Sequence, residues 1–498
     1  MAATLISLAI LAGVAVSVLR LAALPSARGI VGEIRLGWVI VLVAAAGTLV
    51  LVVLVAAQAP IALPILAGAA ALGWAGAFVH ARPYYGRRRG LPPGSLSLHD
   101  SLEALTDRSF NERAFARYGP VFKMAQFHRP VACVLGLERG RELLRSNADS
   151  VAPARNGRED AVPRRVVVWM ARDDYAHYAP LFRGALAEVV SARGREVSAP
   201  LARDSCARLA AASSERPPLV GEVTDEYVLT CLLDLYFGGM LEAGDRAELE
   251  TCLSQVVRLG ARGRPTQEAV AAIEWFGELM KARASRADPA GAATFWTEIV
   301  RREPEALDDP TVLGNLCHLL LDARNNISGA ATWTTFFLAR NPAWLGVVRS
   351  GGETTDDRAD PATAAVLESL RLARSEYVYR LVERPVEVEG FAIPAGWLIR
   401  VCVAESHLLD PPFTDLHIFA PERHLRERYG PKDLAPFGLD AHGCLGARLT
   451  LVLARSYVEA LAGYDPTFVE AREPERGLRH WSHWTVKPSL RVALMPVD

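Results

Sequence analysis

Three long apolar runs at one end of the chain limit what this sequence can fold into more than any other feature. Residues 2–24, 36–57 and 61–79 are 19 to 23 residues long, and a helix needs about 20 to cross a bilayer core of roughly 30 Å. Of 55 basic and 56 acidic side chains, only Arg20, Arg28, Glu33 and Arg35 fall in the first 80 residues. The first run lacks the basic start of a cleaved signal peptide and two further runs follow it, which favours three retained spans. Arg20, Arg28 and Arg35 flank the first connection, residues 58–60 carry no charge, and Arg82, Arg87, Arg88 and Arg89 follow the third run. The positive-inside rule then sets the N-terminus outside and everything after residue 80 in the cytoplasm. The expectation is a multi-pass membrane protein with an anchor over 1–80. A basic, proline- and glycine-containing linker over 81–94 acts as a hinge, and one large domain fills 95–498.

Beyond the anchor the composition is that of a globular protein. A net charge of −1 gives no reason to expect a nucleic-acid partner. Seven scattered cysteines without a C-x-x-C pair exclude a disulfide framework and a zinc knuckle. Apolar residues recur at helical spacing over 101–118, 174–190, 222–237, 246–259, 265–283, 310–340, 361–374 and 445–461. Short alternating pieces near 121–127, 130–135, 386–388, 398–403 and 490–494 read as strands. The fold class is mainly α with minor β.

Residues 436–446 read PFGLDAHGCLG, directly before an amphipathic helical stretch. Cys444 therefore lies at a helix N-terminus, where unsatisfied N–H groups and the positive dipole end favour a thiolate. Gly438, Gly443 and Gly446 let backbone approach a flat ligand closely. A cysteine in such a turn is also compatible with a buried small hydrophobe. With its neighbours, however, the loop resembles the heme loop of the cytochrome P450 (heme-thiolate) family, F-x-x-G-x-(R/H)-x-C-x-G. Phe437, His442, Cys444 and Gly446 match it, and Asp440 stands where the family has glycine. That glycine commonly takes a left-handed or bulged conformation, which Asp tolerates better than most residues.

The resemblance extends over most of the chain after Pro92. Glu368-Ser-Leu-Arg371, one of five E-x-x-R matches, lies 76 residues before Cys444, and Phe419-Ala-Pro421-Glu422-Arg423 matches the family's P-E-R segment. The resemblance implies the P450-like fold and heme b (iron protoporphyrin IX) with Cys444 as axial thiolate ligand. It also implies a structural charge triad of Glu368, Arg371 and Arg423, and places Arg380 and His442 at the heme propionates. Tyr175 and His177 lie where a further propionate contact is usual, but no arginine follows at the family's interval, so neither is assigned.

Pro310 after two acids is a helix start, and Asn341-Pro342 a stop. Near the middle, Asp322-Ala-Arg-Asn-Asn-Ile-Ser-Gly329 gathers poor helix formers, which predicts a local opening. Aligned with the family's (A/G)-G-x-(D/E)-T, Asn325 and Asn326 replace the acid–alcohol pair that relays protons in the monooxygenases, and Asp322 heads the segment. An asparagine can donate and accept hydrogen bonds but cannot release a proton by ionising. Asn at the alcohol position resembles the sterol 7α/12α-hydroxylase and prostacyclin synthase branches, which include hydroxylases and an isomerase. Three readings stay open. The first is a membrane-anchored monooxygenase oxidising an apolar small molecule, in biosynthesis, with electrons from a ferredoxin or reductase. The second is a dioxygen-independent isomerase, lyase or group-transfer enzyme using a substrate O–O or N–O bond. The third is a non-catalytic membrane heme protein. Arg426, Arg428, Lys432, Arg448 and Arg455 flank the loop and would suit an acidic electron donor.

Overall fold

The structure, a computed structural model, describes residues 90–96, 109–126, 129–154, 166–212, 217–238, 243–256, 266–284, 293–351, 359–375, 377–409, 413–470 and 490–497, with a few positions between. The anchor expected over 1–80 lies outside them, Ile65 and Gly68 excepted. Among the described residues no helix is long and apolar enough to cross a membrane.

Along the chain come α1 (Phe110–Tyr118), β1 (Val121–Gln126), β2 (Arg129–Val134), α2 (Leu137–Ser146), β3 (Val151–Pro153), α3 (Arg172–Ala211) and α4 (Val220–Phe237). Then follow α5 (Ala243–Val256), α6 (Gln267–Ala284), α7 (Phe295–Arg302), α8 (Pro310–Arg340), α9 (Ala343–Arg349) and α10 (Pro361–Ser369), which runs into a π turn at Leu370–Arg374. The last part holds β4 (Val378–Val382), β5 (Val386–Val388), β6 (Phe391–Ile393), β7 (Leu398–Val401), α11 (Val403–Leu409), α12 (Glu422–Arg426), α13 (Ala447–Leu461), β8 (Tyr464–Glu470) and β9 (Arg491–Pro496).

The contacts divide the chain into two compact units. The smaller takes the described residues up to Val134 together with Pro385–Arg400. In it β1 and β2 form an antiparallel hairpin with Val121 opposite Val134 and Gln126 opposite Arg129. Residues 92–94, at the described end of the expected linker, are tied to β1. Lys123 N–H donates to the Pro93 carbonyl at 2.7 Å, and the Lys123 ammonium donates to the Pro92 carbonyl at 2.5 Å. Gly94 has φ +120°, and a Cβ there would lie 2.2 Å from the Lys123 carbonyl oxygen, so only glycine fits. A buried Arg400 donates to Asn111 Oδ1 at 2.9 Å.

The larger unit is built on α3, α4, α8 and α13, whose buried faces supply most of the apolar core. Each fully buried Leu or Phe contributes about 1.5–3 kcal/mol relative to exposure. Helix α8 starts where its signals predict: Asp309 caps Thr311 N–H at 2.7 Å, Pro310 occupies the first turn, and Tyr178 Oη–H donates to the second Asp309 oxygen at 2.7 Å. The predicted opening near Asn325 is not present, and the helix runs unbroken for 31 residues. Helix α3 is far longer than the predicted 174–190, with Pro180 and Pro200 inside it. Its second half is held on α13, where the Ser198 and Ser456 hydroxyls meet at 2.7 Å and Val452 packs against Gly194.

Candidate functional site

All the site residues named from sequence lie in the larger unit. The loop before α13 folds back on itself. Cys444 N–H donates to the Phe437 carbonyl at 2.8 Å, Gly443 N–H to the Asp440 carbonyl at 3.0 Å, and His442 N–H to Asp440 Oδ1 at 3.1 Å. The left-handed position falls on Gly438 (φ +102°), where a Cβ would lie 3.2 Å from Gly443 Cα. Asp440 is not among the described positive-φ residues. The sequence expectation is corrected: Asp440 serves through its carboxylate, which caps His442 N–H and takes a donor from the Arg380 guanidinium. Gly446 is the N-cap of α13. Of the seven cysteines, Cys444 is exposed and the other six are buried.

Arg380 sits on β4, opposite Pro153 of β3, and also donates to the Tyr379 carbonyl at 2.7 Å. His442 packs against Tyr175 with ring centroids 3.9 Å apart, and its buried Nδ1 has no hydrogen-bond partner among the described residues. Burial, then the Arg380 charge, pushes the His442 imidazole below its ordinary value. Tyr175 Oη–H donates to the Ala441 carbonyl at 2.8 Å, and Arg183 donates to Tyr175 Oη at 3.1 Å. Arg183 lies eight residues after Tyr175, and in a helix residues eight apart share a face. That interval was the available signal for the pair.

Behind the loop, Glu368 and Arg371 are fully buried and joined twice, at 2.7 and 2.9 Å. Arg423 Nε lies 3.2 Å from Glu368. The structure thus brings the three predicted triad members together and adds a fourth, His424, whose Nε2 is 2.9 Å from Glu368. Burial by itself raises a carboxyl pKa, but the bonds from Arg371 and His424 outweigh it and bring Glu368 down to about 2. Arg371 also donates to the Leu416 carbonyl at 2.8 Å, and both guanidiniums lie 5.3 Å from the Phe413 ring centroid.

On α8 the predicted residues separate. Asn325 is exposed. Asp322 pairs with His318 one turn earlier at 3.0 Å. Burial lowers the His318 pKa and Asp322 more than reverses it, leaving the imidazole above its ordinary value. Asn326 is held by Arg374, from the end of the π turn, whose Nη2 donates to the Asn326 carbonyl at 3.1 Å and to its Oδ1 at 3.0 Å. Sequence reasoning passed over Arg374, His318 and His424, since a lone Arg or His carries no spacing signal. A groove of about 640 Å³ lined by Leu201, Arg208, Glu226 and Arg246 shares no residue with this site.

A cysteine loop before a long helix, a buried Glu–Arg–Arg cluster and a long helix carrying a polar face define a helical protein built around a thiolate-presenting loop. The family model for Cytochrome P450 matches residues 298–457. Abscisic acid 8'-hydroxylase 1 of Arabidopsis thaliana is 28% identical over 162 residues, 30% of this chain and 34% of that protein. Cytochrome P450 26B1 of Homo sapiens is 34% identical over 88 residues, 17% of this chain and 16% of that one. The matched stretches thus span about a third or less of each relative's length. The solved structure of retinoic acid bound cyanobacterial CYP120A1 is similar in fold, with a TM-score of 0.65 over 82% of this chain and 99% of that one at 16% identity. Residues 298–457 of this chain are thus similar to the cytochrome P450 family. The fold is P450-like, mostly helical with some sheet, and the family match implies a heme with a cysteine thiolate ligand.

Proposed function

We propose that the chain is a heme-thiolate monooxygenase acting on an apolar small molecule, anchored in a membrane by residues 1–80 with the catalytic part in the cytoplasm. The observation that carries this reading is the loop of residues 437–446, which exposes Cys444 while the other cysteines are buried. The surroundings fit the cofactor. His442 Nδ1 is a buried polar atom lacking a partner among the described residues, a state that normally costs about 1–3 kcal/mol and invites an acceptor or donor from a bound group. Arg380, with donors beyond the two used on Tyr379 and Asp440, suits a second carboxylate. Cys444 would hold the heme iron through its thiolate, with Arg380 and His442 at the propionates and Phe437 and Gly446 shaping the loop. A thiolate-bound heme supplies electron-rich iron that favours O–O cleavage. Glu368, Arg371, Arg423 and His424 hold the loop's support rigid, and the apolar face of α8 excludes water. Asn326 stands in for the usual relay by ordering water, and the Asp322–His318 pair on the same helix is able to carry a proton.

The test is direct. The heme-loaded full chain should give the family's long-wavelength ferrous–CO band, and Cys444→Ala should abolish it. Retention of the band in Cys444→Ala, with loss in another cysteine variant, would move the ligand elsewhere. Turnover that requires both dioxygen and reductant supports the monooxygenase. Product formed anaerobically without reductant would instead assign the isomerase, lyase or group-transfer reading.

A further inference from the structure

Arg374 has been built into a place where its chemistry dictates the orientation of one distal side chain. The residue is 6% exposed. It reaches α8 because the chain leaves α10 through a π turn, a wider turn that often marks functional sites. On α8 the space it occupies is left by Gly329, where a Cβ would lie 2.8 Å from Arg374 Cζ. The two Nη2 bonds, at 3.0 and 3.1 Å, go to the side-chain and main-chain oxygens of Asn326. An asparagine's oxygen and nitrogen are ordinarily assigned by their neighbours. Here the neighbour decides it, since a guanidinium has only donors and the atom facing it must be Oδ1. Asn326 Nδ2 then points the other way, and it has no hydrogen-bond partner among the described residues.

We propose that Arg374 is a positioning residue that locks the Asn326 amide so that its NH₂ group faces the distal ligand site, making that site a hydrogen-bond donor toward acceptor oxygens of whatever binds there. The proposal rests on the heme-thiolate reading above. Where the family's alcohol both donates and accepts, a clamped amide only donates. A substrate carbonyl or other acceptor oxygen close to the reacting position is accordingly favoured over a hydroxyl that must donate.

The infrared stretch of carbon monoxide bound to the reduced, heme-loaded full chain reads this directly, because a donor facing the CO oxygen lowers its frequency. Wild type should give one narrow band. Asn326→Leu should shift it to higher frequency. Arg374→Ala should shift it the same way and broaden it, as the amide becomes free to flip, whereas Arg374→Lys keeps a donor and should stay near wild type. Gly329→Ala crowds the guanidinium without removing it and should reproduce the Arg374→Ala shift, which covers the case where Arg374→Ala fails to fold. In the Asn326→Leu background Arg374→Ala should add nothing, because the effect runs through the amide. Additive shifts, or a band unmoved by Arg374→Ala and Gly329→Ala, would overturn the proposal. Absence of the thiolate-type band in wild type is a separate result, which overturns the heme-thiolate reading itself.

Discussion

Glu368 has more partners than a salt bridge needs: Arg371, Arg423, His424 and the Ala420 N–H, the last at 3.1 Å. With every lone pair engaged, the carboxylate is tolerated at zero exposure. Glu368→Ala leaves two buried guanidiniums without their counterion and should destabilise the fold by about 3–5 kcal/mol, measured by urea unfolding. His424→Ala removes one charge-assisted bond and should cost about 1.5–3 kcal/mol in the same assay. The triad was legible because residues three apart on a helix adjoin and the P-E-R segment supplied the third member. His424 was not, since adjacency to Arg423 is its only mark in the sequence. Asp440 was misread for a related reason. Its difference from the family glycine suggested a backbone role, whereas the partner that gives it meaning, Arg380, lies 60 residues away.

Among the elements, α10 has a start that can be weighed. Asp360 accepts from Ala362 N–H at 3.1 Å and Thr363 N–H at 3.0 Å, with Pro361 at the first position and Arg455 at 3.3 Å. Asp360→Ala should lower stability by about 1 kcal/mol, the usual worth of such a cap, and thermal unfolding will show it. Asp360→Asn keeps the cap and should recover most of the loss. Helix α8 teaches the opposite lesson about local signals. Asn325, Asn326, Ser328 and Gly329 predict an opening by propensity, yet propensity is a weak prior that packing overrides. Trp333 is buried and stacks on Phe337 at 5.5 Å, and the Asn326 carbonyl is met by Arg374. Helix α3 continues past the predicted 174–190 through Gly194 and Pro200. Gly194 is a packing position against Val452.

For the molecule as a whole, pH sets a one-sided limit. His407 is buried, with Nε2 accepting from Ala435 N–H at 3.0 Å, so its proton sits on Nδ1 and is donated to Ser375 Oγ at 3.2 Å. Burial, then the Arg371 charge, lowers its pKa from 6.5 to about 3. Between those values the unfolded chain binds a proton that the folded chain refuses, so stability falls as pH drops from about 6.5 toward 3. At pH 5 the loss is about 2 kcal/mol. Melting temperatures taken from pH 7.5 to 5 should fall, and His407→Gln, which keeps the acceptor without titrating, should flatten the slope. Glu368 adds a second loss as pH falls from 4.5 to about 2. At the surface, Arg426, Arg428, Lys432 and Arg448 are exposed, while Arg455 is engaged by Asp360 and Glu459 and drops out of the proposed donor-docking set. Reduction by an acidic ferredoxin should slow from 0.1 M to 1 M salt, as the Debye length shrinks from about 10 Å to about 3 Å, and Lys432→Glu should slow it at low salt. The π turn at Leu370–Arg374 bears on how this chain is counted against others. A turn closed five residues apart, as the Ser375 Oγ–H bond to the Leu370 carbonyl at 2.9 Å also is, holds one residue more than an α turn. Against a chain whose helix closes by α turns there, an alignment without a gap would pair Arg374 and Ser375 with the wrong partners, and a single-residue deletion would rotate the rest of the segment by about 100°. Comparative inference about the distal site should be anchored separately on either side of it.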